Sequence, residues 1–372
     1  MKNIYQTKKQ PIKKVALYNP YLDVLGGGEK HILSIIKVFE DFGFTPYIFW
    51  DRNLKKNIEN RLGLNFKNLF FLPNVFKKKS KLSIFKVLST LKNFDYFFYV
   101  TDGSYFLSLA KKNFIFAMVP DKNLYQLNLI NRLKLLNWQF ITNSFFTSQW
   151  LKKWGINSYV ITPYIDERLF KFKNQKKEKI ILSVGRFFSH LHSKKQDIII
   201  KTFKKMKQKN FLFKNFKLIL AGGLKEEDKG YFNYLQKIAA NNQSIIFKPN
   251  ISQKELYRLY QKATFFWHFT GYGVDEEKYP QNVEHLGITP LEAMAAGCLT
   301  FCYNAGGPRT LIKDGLNGFL FNSEKELIRK MENIIFDKRM QKNIKKNAYD
   351  FVFKNFSYEV FKEKVKKLII SI

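Results

Sequence analysis

The chain has 372 residues, of which 45% are hydrophobic, and its 64 Lys and Arg against 30 Asp and Glu give a formal charge of +34. This length predicts two globular domains, and the apolar content excludes a disordered chain. The charge would attract polyanions such as nucleic acid or anionic lipid headgroups. Because no RNP-type motif, C₂H₂ spacing or basic leucine zipper is present, we do not expect nucleic-acid binding to be the main role.

The sequence has no pattern typical of secretion or membrane insertion. Residues 1–14 are basic but lack the apolar segment of a secretory signal, and no apolar run approaches the roughly 18 residues that span a bilayer. Cys298 and Cys302 are the only cysteines and stand apart from any His cluster, so we expect neither a disulfide framework nor a zinc site. These features predict a cytoplasmic protein, and peripheral contact with the inner face of a membrane stays open.

The first part of the chain predicts a Rossmann-like β/α series. A short apolar strand at residues 14–18 precedes Gly26, Gly27 and Gly28, and a helical segment follows to Asp41. Strand, glycine turn and helix open a nucleotide-binding unit, although this turn lacks the full dinucleotide fingerprint. Further buried strands are predicted at residues 46–50, 68–72, 96–100, 114–119, 140–142 and 159–161.

Polar residues follow several of these strands. Asp102 and Ser104 come after the strand at 96–100, and Asp121 comes after the strand at 114–119. Because the carboxyl ends of strands in doubly wound folds face the ligand crevice, these side chains are candidate acceptor contacts. Turn and cap roles explain the same residue types, and we favour them.

Residues 76–91 form a basic and apolar segment. Its lysines are Lys77, Lys78, Lys79, Lys81 and Lys86, and apolar residues recur between them. This pattern is typical of an amphipathic helix on an anionic membrane. A surface helix packed against a sheet has the same pattern, and we favour that interpretation because apolar stripes at helical spacing usually face a core.

A second β/α series follows a polar segment, residues 163–179, which we interpret as a linker. Strands are predicted at 180–184, 218–221, 245–248, at the start of 265–273, and at 299–303, and helices begin near Lys195, after Ser252 and after Phe356. His268 lies in the aromatic strand of this series. A histidine in such a strand is more often structural than a ligand contact, and both roles stay open.

The sequence EHLGITPLEAMAAG, residues 284–297, is the most informative segment. Thr289 is a suitable N-cap and Gly297 would end the helix. The helix N-terminus would offer backbone N–H groups and a favourable dipole to a phosphate, and Gly287 would let a ligand approach the backbone. Glu292 is either a ligand-binding carboxylate or the partner of Thr289 in a capping box.

This segment resembles a known signature. Glu284 and Glu292, the small-residue helix and the sequence AGGPRTLIKDGLNGFLF at 305–321 together resemble the donor-binding motif of the retaining glycosyltransferases of family 4. The resemblance spans most of the chain. It implies the α/β fold called GT-B, in which two Rossmann-like doubly wound domains face each other across a cleft. We expect an acceptor-binding domain at 1–170, a nucleotide-sugar-binding domain at 178–350, and a helix at 351–372 that crosses back to the first domain.

The resemblance also implies roles for individual residues. Glu284 would orient the sugar hydroxyls and Glu292 would bind the ribose hydroxyls. Arg186 and Lys195 would clamp the donor pyrophosphate, with the neighbouring Lys194 left open. The remaining expected donor contacts are Gly27, Gly28, His268, Gly287, Ile288 and Thr289. Many family members also have a His near the end of a strand in the first domain, where this sequence has Met118.

The function implied is retaining transfer of a hexose from a nucleotide diphosphate sugar to an acceptor hydroxyl on a saccharide or a lipid-linked glycan. The donor would be a GDP- or UDP-hexose, and the EHLGI sequence favours mannose slightly. Neither a cofactor nor a metal ion is expected. The alternative is a non-catalytic basic GT-B-like protein that binds anionic membrane or nucleic acid. A phosphorylase is disfavoured because no pyridoxal-phosphate lysine motif is recognisable.

Overall fold

The computed structural model describes residues 13–76, 82–172, 175–190 and 192–370. In these residues two parallel sheets form, one of seven strands in the order β3-β2-β1-β4-β5-β6-β7 and one of six in the order β10-β9-β8-β11-β12-β13. The strands of the first sheet are β1 Lys14–Tyr18, β2 Thr45–Phe49, β3 Phe70–Leu72, β4 Tyr96–Val100, β5 Lys112–Ala117, β6 Trp138–Thr142 and β7 Ser158–Val160. The strands of the second are β8 Glu178–Val184, β9 Lys217–Gly222, β10 Ile245–Pro249, β11 Ala263–His268, β12 Leu299–Tyr303 and β13 Phe319–Phe321.

Helices cover both faces of each sheet. Those within or beside the first sheet are α1 Gly27–Asp41, α2 Lys55–Leu62, α3 Leu82–Leu91, α4 Leu129–Lys134, α5 Phe145–Lys153 and α6 Glu167–Phe170. The later ones are α7 Gln196–Lys209, α8 Lys229–Ala239, α9 Gln253–Lys262, α10 Ile288–Ala295, α11 Gly306–Leu311, α12 Glu324–Phe336, α13 Lys338–Phe356 and α14 Tyr358–Ile370. Because both faces are covered, central strands such as β4 are buried at every residue and consist of continuous apolar runs.

The first sheet separates two apolar cores. Val15 and Leu17 face the core that includes α1, α2 and α14, whereas Ala16 faces the core that includes Val87 of α3 and Leu151 of α5. This alternation follows from the period of two along a strand. The face that carries α3 and α5 is called the outer face below.

The chain returns to the first sheet after completing the second. Helix α13 packs on α10, and α14 packs on α1. Phe361, Val365 and Leu368 of α14 are buried in the same core as the apolar face of α1. The hydroxyl of Tyr96 in β4 donates to the carbonyl of Ile369 at 3.2 Å. The domain limits given above, 1–170 and 178–350, and the limits 351–372 of the returning helix remain predictions.

All of the predicted strands are present, with ends that match the prediction or differ from it by one or two residues, as expected when propensity alone sets the boundaries. Two differences matter. The predicted linker contains the short helix α6, whose N-cap Asp166 accepts from the amide of Arg168. Strand β13 was not predicted, because three residues are too few to show a periodicity.

The prediction for the basic segment at 76–91 falls partly outside the described residues, since Lys77, Lys78, Lys79 and Lys81 lie there. Helix α3 buries Val87 and Leu91, as a packed surface helix should. Ile84 and Phe85 are instead 58% and 76% exposed. The helix therefore packs by one side and presents apolar side chains to solvent on the other.

Candidate functional site

A cleft of about 320 Å³ lies between elements of the two sheets. Gly27 and Lys30 line it from the start of α1, and Ile288 and Glu292 line it from α10. A Cβ placed on Gly27 would lie 3.8 Å from Ile288 Cδ1, so the two helix N-termini approach each other closely. Two converging helix N-termini favour a bound anion.

Glu292 projects from α10 into this cleft. The hydroxyl of Tyr260, in α9, donates to Glu292 Oε2 at 2.7 Å. Burial raises the pKa of Glu292 to about 7, although the bond from Tyr260 and the charge of Lys30 oppose that rise. Glu292 accepts from a side chain of another helix instead of its own helix start, so the capping-box explanation is wrong.

The raised pKa makes stability depend on pH. Folded Glu292 binds its proton more tightly than the unfolded group does, so its stabilising contribution is complete below about pH 4.5 and is lost as pH rises to about 7. The rise in pKa corresponds to on the order of 3 kcal/mol. We expect Glu292→Gln to remove this part of the decline, as measured by denaturant unfolding at about pH 5 and about pH 8.

Glu226→Gln is the control for that measurement, because Glu226 is exposed and pairs only with a surface lysine. It should leave the pH dependence of the wild type unchanged. An equal decline in wild type and Glu292→Gln would show that Glu292 is ionised throughout and would contradict the prediction.

Glu284 is the centre of a second polar cluster. Lys194 Nζ lies 2.6 Å from Glu284 Oε2, and both side chains are mostly buried. His268 Nε2 lies 3.1 Å from the same oxygen. Burial opposes the charge of Glu284, but Lys194 and His268 outweigh it and hold its pKa well below the usual range. The carboxylate is therefore ionised beside a fixed cation.

The structure brings Lys194, not Lys195, to Glu284. Lys195 is the N-cap residue of α7 and has a left-handed backbone, with φ 54°. The two lysines therefore have different settings at the helix start, and the expected phosphate contact of Lys195 stays a prediction. Arg186 is exposed at the end of β8, where its guanidinium lies 4.4 Å from the Phe188 ring centroid.

The start of α10 differs from the prediction. Its N-cap is Gly287, with φ 100°, and Thr289 lies inside the first turn. Only glycine adopts this conformation without strain, so Gly287 directs the chain into the helix. The Thr289 hydroxyl is instead 3.5 Å from the carbonyl of Val184. Gly297, with φ 75°, follows the helix as predicted.

The loop that carries Glu284 is held by α11. The amide of Gly307 donates to the carbonyl of Glu284 at 2.7 Å. The amide of Gly306 donates to Glu276 Oε2 at 2.8 Å, and Arg309 pairs with the same carboxylate. The backbone of the AGGPR motif therefore holds the main chain of Glu284 in position through the amide of Gly307.

Other predicted residues lie as follows. Gly28 is in the first turn of α1, where a Cβ would lie 2.7 Å from Met118 Sδ. Asp102 accepts from the hydroxyl of Tyr99 and from the amide of Ser104, and Asp121 caps a short turn through the amide of Asn123. These are the turn and cap roles that we favoured for the strand ends.

Sequence reasoning missed two residues of the site. Tyr260 lies in the helix that the sequence predicts after Ser252, and only the three-dimensional contact identifies it as a partner of Glu292. His192 lies in the loop between β8 and α7, where its ring centroid is 5.5 Å from that of His285. Burial lowers the pKa of His192 to about 3, with Lys194 contributing, so the ring is neutral.

The family model described as Glycosyl transferases group 1 matches residues 165–351, which include Arg186, Lys194, Glu284 and Glu292. The chain is 25% identical over 213 residues to Alpha-1,3/1,6-mannosyltransferase ALG2 of Rhizomucor pusillus, with 52% of this chain and 46% of that protein covered. It is 30% identical over 205 residues to the human GDP-Man:Man(3)GlcNAc(2)-PP-Dol alpha-1,2-mannosyltransferase, with 51% and 38% covered. The alignments span less than half the length of these two relatives.

Solved structures are similar over almost the whole chain. A glycosyltransferase from Rickettsia africae superposes with a TM-score of 0.74 at 18% identity, covering 97% of this chain and 100% of that one. Anabaena Alr3699/HepE, solved with UDP and glucose, superposes with a TM-score of 0.68 at 17% identity over the same shares. These likenesses confirm the GT-B fold of two Rossmann-like halves. With the family model covering half of its length, the chain belongs to the glycosyl transferases group 1 family.

Proposed function

We propose that the protein is a retaining hexosyltransferase that transfers mannose from GDP-mannose to a hydroxyl of a lipid-linked saccharide. The observation that carries this proposal is the placement of two carboxylates on one loop-helix unit. Glu284 is ionised beside Lys194, and Glu292 lies in the cleft beside the N-terminus of α1. The names of two relatives support the donor and the acceptor class. Both are mannosyltransferases, and the name of the human protein specifies GDP-Man as the donor and a PP-Dol glycan as the acceptor.

The residues divide between the two ends of the donor. Glu292 would accept hydrogen bonds from the ribose hydroxyls, for which a carboxylate is suited. Glu284 would orient the sugar hydroxyls and offset positive charge that develops on the ring. Lys194 and Arg186 would stabilise the negative charge of the departing nucleoside diphosphate, together with backbone N–H groups at Gly287, Ile288 and Thr289.

Retention of configuration would follow from attack on the same face as the leaving phosphate. The phosphate oxygen would take the proton of the acceptor hydroxyl, so no protein nucleophile is needed. We propose that the reaction is independent of metal ions, because two fixed cations supply the charge that a metal ion would otherwise provide. Closure of the two domains would exclude water and protect the donor from hydrolysis.

The acceptor and the location of the protein follow from the same proposal. A lipid-linked acceptor requires that the enzyme work at a membrane surface, and we propose a cytoplasmic protein with peripheral contact to an anionic leaflet. No helix in the described ranges is long and apolar enough to cross a bilayer.

Nucleotide binding tests the proposal directly. Thermal unfolding would be followed with GDP, UDP, ADP and their hexose conjugates. Ligand at about 100 times its Kd should stabilise the protein by roughly 2.7 kcal/mol. We expect GDP and GDP-mannose to give this shift in the wild type and in Glu226→Ala, and Glu292→Ala to lose most of it.

A thermal shift with UDP compounds alone would show that the donor is a UDP-hexose instead of GDP-mannose, and the proposed transferase activity would still stand. No shift with any nucleotide, in a protein that still unfolds cooperatively, would contradict the transferase and favour the non-catalytic basic protein. Binding to vesicles or nucleic acid would then be the next measurement.

A further inference from the structure

Exposed apolar side chains concentrate on the outer face of the first sheet. Helix α4 contributes Leu129, Ile130 and Leu133, and Leu136 follows it. None of the residues of α4 is buried. A helix this short is not stable in isolation. The rest of the fold therefore stabilises α4 while its apolar side chains remain exposed to solvent.

A neighbouring loop extends this apolar area. Leu107 and Leu109 are exposed, and Asn137 Nδ2 donates to the carbonyl of Ser108 between them at 2.8 Å. Buried Trp138 and Tyr105 hold the two segments down on the outer-face core. We call this area the leucine surface. It consists of Leu107, Leu109, Leu129, Ile130, Leu133 and Leu136, whose exposed fractions run from 50% to 81%.

The chain segment that carries four of the six residues of the leucine surface has charged side chains of one sign. Residues 122–157 contain no Asp or Glu, while Lys122 and Arg132 are exposed there and Lys134 is partly exposed. The acidic residue just before this range, Asp121, caps a turn through the amide of Asn123. Exposed apolar side chains with cations in the same segment match the interfacial region of a bilayer with anionic headgroups, where leucines enter the acyl boundary and cations meet phosphates.

Charge also argues against a second copy of the chain as the occupant. Two leucine surfaces pressed together would bring Arg132 and Lys122 of each copy near the same cations of the other, without acidic side chains from residues 122–157 to compensate. A cluster of six exposed apolar side chains exceeds the scattered ones that a monomer normally carries. On the same face of the sheet, α3 packs through Val87 and also exposes Ile84 and Phe85.

We propose that the leucine surface inserts into an anionic lipid bilayer and holds the outer face of the first sheet against it. The contact is peripheral, because each side chain enters only the interface while the buried Trp138 and Tyr105 stay in the protein core. This inference is independent of the donor site, since none of its residues lines the cleft.

Vesicle flotation tests it. The full chain would be mixed with vesicles of neutral phosphatidylcholine alone or with added anionic phosphatidylglycerol, at about 0.1 M salt. We expect binding to the anionic vesicles, and a roughly tenfold or greater loss of the partition coefficient in Ile130→Ser/Leu133→Ser. Both side chains are exposed, so folding should be preserved, which circular dichroism and thermal unfolding would check.

Phe211→Ser/Phe336→Ser is the matched control, since it removes two exposed apolar side chains from the second sheet's domain without changing charge. It should bind vesicles like the wild type. Equal binding by the leucine variant and the wild type would show that the general positive charge alone attracts lipid and would overturn the proposal. So would a wild-type dimer that ignores vesicles and dissociates in the leucine variant, as measured by light scattering.

Discussion

Replacing Lys194 by alanine should lower kcat/KM for nucleotide release from the donor sugar by roughly 10²–10³-fold. The Nζ atom lies 2.6 Å from Glu284 in a mostly buried setting, where a cation acts more strongly than at an exposed site. The substitution removes the positive charge that would stabilise the negatively charged leaving group. It also leaves the Glu284 carboxylate without its main stabilising charge. The rate of nucleotide release would be measured with whichever nucleotide sugar gives the stabilising shift in the thermal unfolding experiment.

Lys195→Ala is the matched control, because it removes the same charge from the adjacent residue. We expect its kcat/KM to change by no more than about threefold, consistent with an exposed or partly exposed charge. If Lys195→Ala is the impaired variant and Lys194→Ala keeps its activity, then the phosphate-binding lysine has been assigned to the wrong residue.

Gly307→Ala should destabilise the protein by several kcal/mol and weaken nucleotide binding with it. A Cβ at this position would lie within 2.6 Å of the carbonyl oxygen of His285 and of Leu286 Cα, and neither backbone can yield without moving Glu284. Such overpacking typically costs about 1–3 kcal/mol, and loss of the Gly307 bond to the Glu284 carbonyl adds to it. Denaturant unfolding would measure the change in free energy.

Gly230→Ala controls for the effect of a methyl group. Gly230 is in helix α8, and the space that a Cβ would occupy there is open, so alanine should raise stability by about 0.4–1 kcal/mol. A Gly307→Ala variant as stable as the wild type would mean that the loop at Glu284 can move away, and that α11 does not fix the carboxylate.

Regular elements could be predicted because their signals are local. Strand β1 and helix α9 with its Ser252 cap are where the sequence places them. Turn geometry was harder. A threonine before a proline is a favourable N-cap, yet the left-handed Gly287 begins the helix two residues earlier. Sequence alone does not show which backbone conformation the packing of a loop imposes.

The candidate site could be located from its motifs but not resolved to single contacts. Lys194 and Lys195 are identical side chains, and what separates them is the backbone φ of 54° at Lys195, which only the fold determines. The Tyr260–Glu292 bond joins residues of two different helices, 32 positions apart, with no spacing rule between them. Burial of Glu292, which depends on the packing of distant parts of the chain, raises its pKa, so this shift could not be predicted from the sequence.

The return of the chain to the first sheet also affects biosynthesis. Tyr96 in β4 bonds to Ile369, 273 positions later, and the core around α1 closes only when Phe361, Val365 and Leu368 arrive. During translation, the apolar side of α1 therefore lacks its contacts with α14 until the residues of the second sheet have been synthesised. The first half of the molecule therefore completes its core only after the helix α14 has been synthesised.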